Sequence, residues 1–352
     1  MTPFVRLSPE QHDTLEGFPE PAENPHLIGH HAARELLLSS HGAGRLPQGL
    51  ILAGPHGIGK ATVAFHLARH LLRFPDGAGA PQEFAPAEPS GSLFRQVASE
   101  AHPSVLHLTR PLNEKGERFK TVLAVDEVRR IGRFLSHTAH DGGYRIVIVD
   151  PADDLNTAAA NALLKNLEEP PARTLFVLVA HSLGRLLPTL RSRCQVLKLS
   201  PLPPADLIAA SEAIGAALPA AEADRQALAA RANGSVREAL LLLEHGGLAI
   251  ATAVEALASS ARFSVVEAHR LAEQVSGKGK EAPFALLHRH ALDLLSDAAA
   301  RAAQAGEIAR AASFSEAWEQ ERATGQDTLA YNLDRKQAAL DTVHRLHTAF
   351  QR

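Results

Sequence analysis

The chain has 352 residues, of which 45% are apolar and 21% charged, a composition typical of a globular protein with an ample core. Its 36 basic and 39 acidic side chains give a formal net charge of −3, which excludes a global positive field that would draw the chain onto nucleic acid. A single cysteine, Cys194, excludes an intrachain disulfide and a cysteine-based zinc site. No signal-peptide layout and no apolar run of membrane-spanning length are visible, so a cytoplasmic protein without a membrane partner is expected.

The first predicted elements surround a phosphate-binding loop. Residues 1–24 are polar and interrupted by prolines, which predicts a loosely held arm, and a helix is predicted over 26–39. A short buried strand follows, and the residues from Gly54 to Thr62 have the spacing G-x-x-x-x-G-K before a helix over 63–72. In such a loop the glycines let backbone N–H groups point at phosphate oxygens, and Lys60 reaches the β- and γ-phosphates. The alternative is a glycine-rich turn without a ligand.

One position of this loop departs from the usual pattern. Ala61 follows Lys60, where Ser or Thr would place a hydroxyl on Mg²⁺. Thr62 lies one residue further, about 100° round a helix of about 3.6 residues per turn, and cannot simply substitute. Mg²⁺ therefore loses one of its expected ligands.

The middle of the chain predicts a sheet covered by helices. Strands are predicted near 50–53, 104–108, 145–150, 174–180 and 194–198. Their alternation with helices favours a parallel sheet covered on both sides. A helix is predicted over 125–137, with Arg129, Arg130 and Arg133 away from its apolar face. These arginines contact a phosphate backbone or a partner, or they form a solvated helix face, which is the favoured interpretation.

The stretch from Tyr144 to Cys194 carries further candidate site residues. Its first buried strand ends at Asp150, where a carboxylate at the carboxyl end of the strand would face a ligand. Asn156 predicts the N-cap of the next helix, and two prolines end that helix at 170–171.

At this point the sequence resembles a known family. Asp150, Asn161-Ala162-Leu163-Leu164-Lys165, Leu167-Glu168-Glu169-Pro170-Pro171 and Ser192-Arg193-Cys194 follow one another in the order seen in the AAA+ subunits of the bacterial DNA polymerase III clamp loader. The pattern is most similar to the delta-prime subunit family. That family often carries a four-cysteine zinc module after the P-loop helix, and here a cysteine-free loop over 74–91 stands at its place, so no zinc is expected.

The resemblance implies three domains. An AAA+ P-loop domain of α/β class with a parallel five-stranded sheet is expected over 1–199, a small helical lid over 200–246, and an all-helical collar domain over 247–352. The lid helices are predicted at 205–217, 224–232 and 235–244. In the family the collar joins five subunits into a ring. The amphipathic repeat over 329–347 suits that role, and an intramolecular core face explains it equally well.

The resemblance also implies a set of nucleotide-site residues. Arg237 lies in a segment similar to the sensor-2 segment of AAA+ lids, where an arginine approaches bound nucleotide; by itself it is an ordinary helix arginine. The candidate nucleotide-binding residues are Gly54, Gly57, Gly59, Lys60, Ala61, Thr62, Asp150 and Arg237. Weakly bound ATP or ADP is the expected ligand.

The residues that follow Asp150 predict that this chain hydrolyses little ATP. Hydrolysis in this fold needs an acid for Mg²⁺ followed by a Glu that orients water, but Pro151 follows Asp150, and Asp153 and Asp154 lie beyond the water-activating position. Arg193 is intact, and an arginine finger donated to a neighbour is worth ~10³–10⁵ in rate. The alternative is that Arg191 and Arg193 are surface charges.

These features predict a stator-like delta-prime subunit that lends Arg193 to a neighbouring motor subunit. Its expected partners are the gamma/tau and delta subunits and, through the complex, the sliding clamp and primed DNA. The rival hypotheses are an active motor of gamma/tau type, and an AAA+ protein of recombination or signalling.

The sequence gives little support for a histidine metal site or a catalytic cysteine. His66 and His70 share a helix face, but they lack the intervening Glu of a zinc protease motif and no third ligand is evident, so they are interpreted as surface or packing residues. Cys194 is interpreted as a residue at a strand entry rather than a catalytic nucleophile.

Overall fold

The computed structural model describes residues 5–136, 142–331 and 333–351. The chain forms two compact units, Met1–Glu238 and Ala239–Arg352. The three-domain division expected from the sequence stays a prediction.

The first unit alternates strands and helices. Its elements are α1 (His31–Gly42), β1 (Gly49–Ala53), α2 (Lys60–Arg73), α3 (Ser92–Ala98), β2 (Val105–Leu108), α4 (Val125–Ser136), β3 (Arg145–Val149), α5 (Thr157–Glu168), β4 (Thr174–Ala180), α6 (Pro188–Arg191), β5 (Gln195–Lys198), α7 (Pro204–Ala213) and α8 (Glu222–Ala232). The helix α9 (Val236–Glu244) crosses from this unit into the next. His137, the predicted last residue of α4, lies outside the described residues.

The five strands pair in parallel in the order β2-β3-β4-β1-β5, which confirms the predicted five-stranded parallel sheet. Alternate side chains of a strand point to opposite faces. On β1, Leu50 and Leu52 pack into one apolar cluster, whereas Ile51 and Ala53 pack into another. The sheet is therefore buried on both faces, which explains why its inner strands are apolar throughout.

The sheet register places the site residues at one edge. Ala53 at the end of β1 pairs with Ala180 at the end of β4, and the N–H of Gly54 donates to the carbonyl of Ala180 at 3.2 Å. Since β3 is parallel to β4, Asp150 also leaves the sheet at this edge. The start of the phosphate-binding loop, Asp150 and the residues after β4 therefore lie together.

The prediction of a loosely held arm is wrong for residues 5–24. Glu23 is only 5% exposed and its carboxylate accepts backbone N–H groups from Leu7 and Ser8. Glu20 is 7% exposed and pairs with Arg6 at 2.6 Å. Buried carboxylates with several donors hold a segment that lacks regular secondary structure. The predicted arm residues 1–4 lie outside the described residues.

The first helix starts later than predicted. The sequence predicts helix from residue 26, but α1 begins at His31 because Gly29 and His30 have left-handed φ values of 75° and 54°. The predicted cap of α5 is confirmed, since Asn156 Oδ1 accepts the N–H of Ala159 at 2.8 Å.

The described part of the second unit is helical, as predicted. It contains α10 (Gly247–Ser259), α11 (Val265–Val275), α12 (Glu281–Gln304), α13 (Ile308–Ala330) and α14 (Arg335–Gln351). No single helix among the described residues is long and apolar enough to cross a membrane. Taken together, α9 and α10 have the length and composition of a membrane-spanning segment, but the pair is bent by 83°.

The amphipathic repeat predicted over 329–347 extends over two helices, and its apolar side chains on the second helix form a core face within the unit. The helix α13 ends at Ala330 and α14 begins at Arg335, because Asp334 caps the new helix: its Oδ1 accepts the N–H groups of Lys336 and Gln337 at 2.8 and 3.1 Å. The apolar side chains of α14, including Val343 and Leu346, belong to the core of the second unit. The predicted position Asn332 lies outside the described residues.

Candidate functional site

The phosphate-binding loop has the backbone shape that its glycines predict. Gly57 and Gly59 have left-handed φ values of 73° and 99°, and α2 begins at the next residue, Lys60. A Cβ on Gly54 would lie 2.4 Å from the carbonyl oxygen of Leu199. Glycine at these positions is therefore required by the fold of the loop.

The lysine of the loop is buried and bonded within the chain. Lys60 is 3% exposed, and its Nζ donates to the carbonyl oxygen of Pro55 at 2.5 Å. Burial lowers the pKa of Lys60 to about 8, although the carboxylates of Asp150 and Asp153 act in the opposite direction. The ammonium group thus lies inside the curl of its own loop.

The two residues after the lysine are buried as well. Ala61 is 8% exposed and Thr62 is 9% exposed. Ala61 supplies no oxygen at the position that usually serves Mg²⁺, as the sequence indicates.

Asp150 follows β3 and is half-buried. Burial raises its pKa to about 6, and nearby Asp13 also raises it, while His107, Lys60 and His56 lower it. The carboxyl group of Asp150 therefore lies among both cationic and anionic neighbours.

The next two acids are used to hold the backbone. Asp153 is 7% exposed, and its carboxylate accepts the N–H groups of His181 and Ser182 at 3.0 and 3.3 Å. Asp154 is equally buried and accepts from Arg110 Nε at 2.5 Å. Both carboxylates therefore accept hydrogen bonds from other parts of the fold.

The structure brings Arg237 to the phosphate-binding loop. Its backbone N–H donates to the carbonyl of Gly57 at 3.4 Å, and a Cβ on Gly57 would lie 2.4 Å from Ser235 Oγ and 2.5 Å from Arg237 Cβ. The guanidinium of Arg237 donates to the main-chain carbonyl of Asp13 and lies 3.7 Å from its carboxylate. The predicted proximity of Arg237 to the loop is present, with an arm residue beside it.

Three further residues at this site, Asp13, His56 and His181, are not identified as site residues by the sequence analysis. His56 Nε2 lies 3.4 Å from Asp13 Oδ2, and the His56 ring stands edge-on to the ring of His181 with centroids 4.6 Å apart. Burial and the charge of Lys60 lower the pKa of His181 to about 3. His56 occupies a variable position of the loop, and Asp13 lies in a polar arm, so neither carries a motif signal.

Arg193 lies apart from these residues, between α6 and β5. Its guanidinium donates to Glu168 Oε1 at 2.8 Å and to the carbonyl of Thr189 at 3.3 Å, and 38% of the side chain is exposed. Surface ion pairs of this kind contribute about 0–1 kcal/mol. The guanidinium is accessible to a second molecule after little rearrangement.

The described residues contain no group of three or more His, Cys, Asp and Glu side chains that could hold a metal ion. His66 and His70 are packing residues: both are buried, and His66 Nε2 lies 3.1 Å from the carbonyl of Asn24. Burial raises the pKa of the Cys194 thiol to about 11, which opposes nucleophilic reactivity.

Known proteins resemble the first unit. The family described as "DNA polymerase III, delta subunit" matches residues 29–203. The DNA polymerase III subunit delta' of Pseudomonas aeruginosa is 41% identical over 170 residues, which cover 48% of this chain and 47% of that protein. The Escherichia coli subunit of the same name is 39% identical over 170 residues, with the same coverage of 48% and 47%.

A relative with another subunit name is less similar. The subunit gamma/tau of Mycobacterium tuberculosis is 31% identical over 186 residues, covering 52% of this chain and 30% of that protein. The chain spans about half the length of the curated delta' relatives it matches. Residues 29–203 match the DNA polymerase III delta-subunit family, and the resemblance of this chain to the delta-prime subunit is confirmed.

Proposed function

We propose that this chain is the delta-prime subunit of a DNA polymerase III clamp loader. It acts in the cytoplasm as a stator-like subunit that hydrolyses no ATP of its own and donates Arg193 to the ATP site of a neighbouring motor subunit. Its partners are the gamma/tau and delta subunits, and the complex places the sliding clamp on primed DNA.

The observation that carries this proposal is the engagement of the two acids after Asp150. Asp153 holds the backbone that follows β4, and Asp154 is paired with Arg110. Both carboxylates thus already serve the fold, and Ala61 offers no oxygen for Mg²⁺. These two features support the proposal that the chain hydrolyses no ATP of its own.

The position of Arg193 supports the second half of the proposal. An arginine finger must reach a phosphate on another subunit, and Arg193 lies at the surface with only an exposed carboxylate, Glu168, as its ion-pair partner. A planar guanidinium can pair two phosphoryl oxygens at once. Arg193 can exchange Glu168 for a phosphate at little cost in free energy, because the Arg193 and Glu168 side chains are both exposed to solvent.

Reconstitution tests the proposal directly. The purified chain is mixed with gamma/tau and delta subunits, and the products are separated by gel filtration. The chain is expected to elute with both subunits, and clamp loading on primed DNA is expected only when the chain is present. Elution of the chain alone, with loading unaffected by its omission, would contradict the proposal.

A steady-state ATPase assay of the isolated chain separates this function from the motor alternative. The chain is expected to hydrolyse no ATP above a buffer blank. Turnover by the chain alone at the rate of a gamma/tau motor would favour the motor alternative.

A further inference from the structure

Asp13, a residue of the N-terminal arm, lies against the phosphate-binding loop. Its carboxylate is 3.4 Å from His56 of the loop and 3.7 Å from the guanidinium of Arg237. Arg237 also donates to the main-chain carbonyl of Asp13. Asp13 thus contacts both His56 of the loop and Arg237, the arginine of the segment similar to sensor 2.

The arm holds Asp13 in this place through several anchors. The turn that carries it is closed by the N–H of Gln11, which donates to Thr14 Oγ1 at 2.7 Å. On one side of the turn, Ser8 is buried and its hydroxyl donates to the carbonyl of Ala98 at 2.5 Å. On the other side, buried Arg69 donates to the carbonyl of Ala22 at 2.9 Å.

The lysine that would meet phosphate is also engaged within the chain. Lys60 Nζ donates to the carbonyl of Pro55 at 2.5 Å, so Lys60 must leave this carbonyl before it can reach a phosphate. Ala61 in addition offers no hydroxyl to Mg²⁺.

Asp13 brings negative charge to this cluster, as a phosphate would. Burial alone would raise the pKa of Asp13, but the hydrogen bond with His56 and the positive charge of Arg237 hold the pKa well below its ordinary range. The carboxylate is therefore ionised at neutral pH and would repel an incoming phosphate at close range.

We propose that Asp13 takes the place of a nucleotide phosphate, so that the arm and nucleotide compete for His56 and Arg237. The arm then keeps Arg237 against the loop without any bound nucleotide. This proposal concerns the isolated chain, so its failure and the failure of the clamp-loader function are distinguishable.

Equilibrium binding of a fluorescent ATP analogue, with and without Mg²⁺, tests the proposal. Asp13→Asn keeps the shape of the side chain and removes its charge. We expect the Kd of this variant to be at least tenfold lower than that of the wild-type chain, because the repulsion between carboxylate and phosphate is removed and Arg237 loses its carboxylate partner, although its contact with the main-chain carbonyl of residue 13 stays. Adding Arg237→Ala to Asp13→Asn is expected to remove the gain.

Glu10→Gln is the matched control, because it removes one negative charge from an exposed position of the same arm. Its Kd is expected to equal that of the wild-type chain. Equal Kd values for Asp13→Asn and wild type, including no binding by either, would overturn the proposal.

Hydrogen exchange on the wild-type chain gives a second test if Asp13→Asn does not fold. Saturating ATP is expected to raise the exchange rate of the amides over residues 8–16, since nucleotide displaces the arm. Unchanged or slower exchange in this segment would overturn the proposal.

Discussion

At the scale of single residues, two acids decide what the site after β3 can do. Asp153 and Asp154 are close in sequence to the position of a water-activating carboxylate, but both are buried and bonded to other parts of the fold. Their role is to connect the ends of neighbouring strands.

Replacement of Asp153 tests this structural role. Asp153→Ala leaves the N–H groups of His181 and Ser182 without their carboxylate partner, and hydrogen bonds to charged groups are worth about 1.5–3 kcal/mol. We expect the free energy of unfolding in urea to fall by about 2–3 kcal/mol. Asp126→Ala, on the exposed face of α4, is the control and is expected to change nothing measurable; equal stabilities of the two variants would contradict the assignment.

Because His66 is buried, we expect the free energy of unfolding to fall in acid. Burial, aided by the charge of Arg69, lowers the pKa of His66 to about 3 in the folded chain, whereas an unfolded histidine has a pKa of about 6.5. Below pH 6.5 the unfolded chain binds the proton more readily, so the stability that neutral His66 contributes is lost as pH falls toward 3.

Urea unfolding at pH 7 and pH 5 measures this effect. Between these values His66 accounts for about 2 kcal/mol of lost stability, since one pKa unit equals about 1.36 kcal/mol. His66→Gln is expected to reduce the difference between the two pH values by that amount. His31→Gln, at an exposed position, is expected to retain the full difference, and equal behaviour of both variants would count against the argument.

At the scale of elements, the regular parts of the first unit could be predicted and the arm could not. The strand from Ile146 to Val149 is apolar at every position because both sheet faces are covered, and that signal is local. The arm is held by single carboxylates, Glu20 and Glu23, and by partners as distant in sequence as Arg69. No local pattern indicates such contacts, so neither the ordered arm nor the place of Asp13 could be predicted.

The break between α13 and α14 has a similar origin. The apolar repeat continues through the break, since both helices face one core. The signal that ends one helix and starts the next is the cap at Asp334, which a periodicity argument does not detect. The resemblance located Arg237 near the loop, but its partner Asp13 lies more than two hundred residues away in sequence.

Three helices of the second unit are joined by a buried polar cluster. Glu321 on α13 is 1% exposed; its carboxylate accepts the hydroxyl of Thr342 on α14 at 2.8 Å, pairs with Arg345 on α14, and contacts His288 Nδ1 on α12. Removal of one member of a buried ion pair leaves the other charge without its partner.

Glu321→Ala is therefore expected to lower the free energy of unfolding of this unit by about 3–5 kcal/mol. The only tryptophan of the chain, Trp318, lies on the same helix, so its fluorescence during urea unfolding reports on this unit. Glu316→Ala, at an exposed position of α13, is the control. A Glu321 variant as stable as this control would show that the cluster contributes little.

Across the molecule as a whole, the elements of a nucleotide site and the candidate arginine finger lie at separate places in the first unit. The phosphate-binding loop, the buried lysine and the sheet edge are present, while Asp153 and Asp154 are bonded to other parts of the fold, which supports the proposed loss of water activation. The exposed Arg193 is the one candidate catalytic group proposed for this chain, and we propose that it acts on the nucleotide of another subunit. The central claim is that the chain contributes to ATP hydrolysis only through that arginine.

The measurement that tests this claim most directly is the DNA-stimulated ATPase rate of loaders reconstituted with gamma/tau, delta and either Arg193→Ala or Arg191→Ala. Both positions are exposed and two residues apart, so the pair controls for the loss of a surface charge. We predict that Arg193→Ala assembles normally and lowers the ATPase rate, whereas Arg191→Ala matches the wild-type chain. An undiminished rate with Arg193→Ala in the assembled loader would contradict the account.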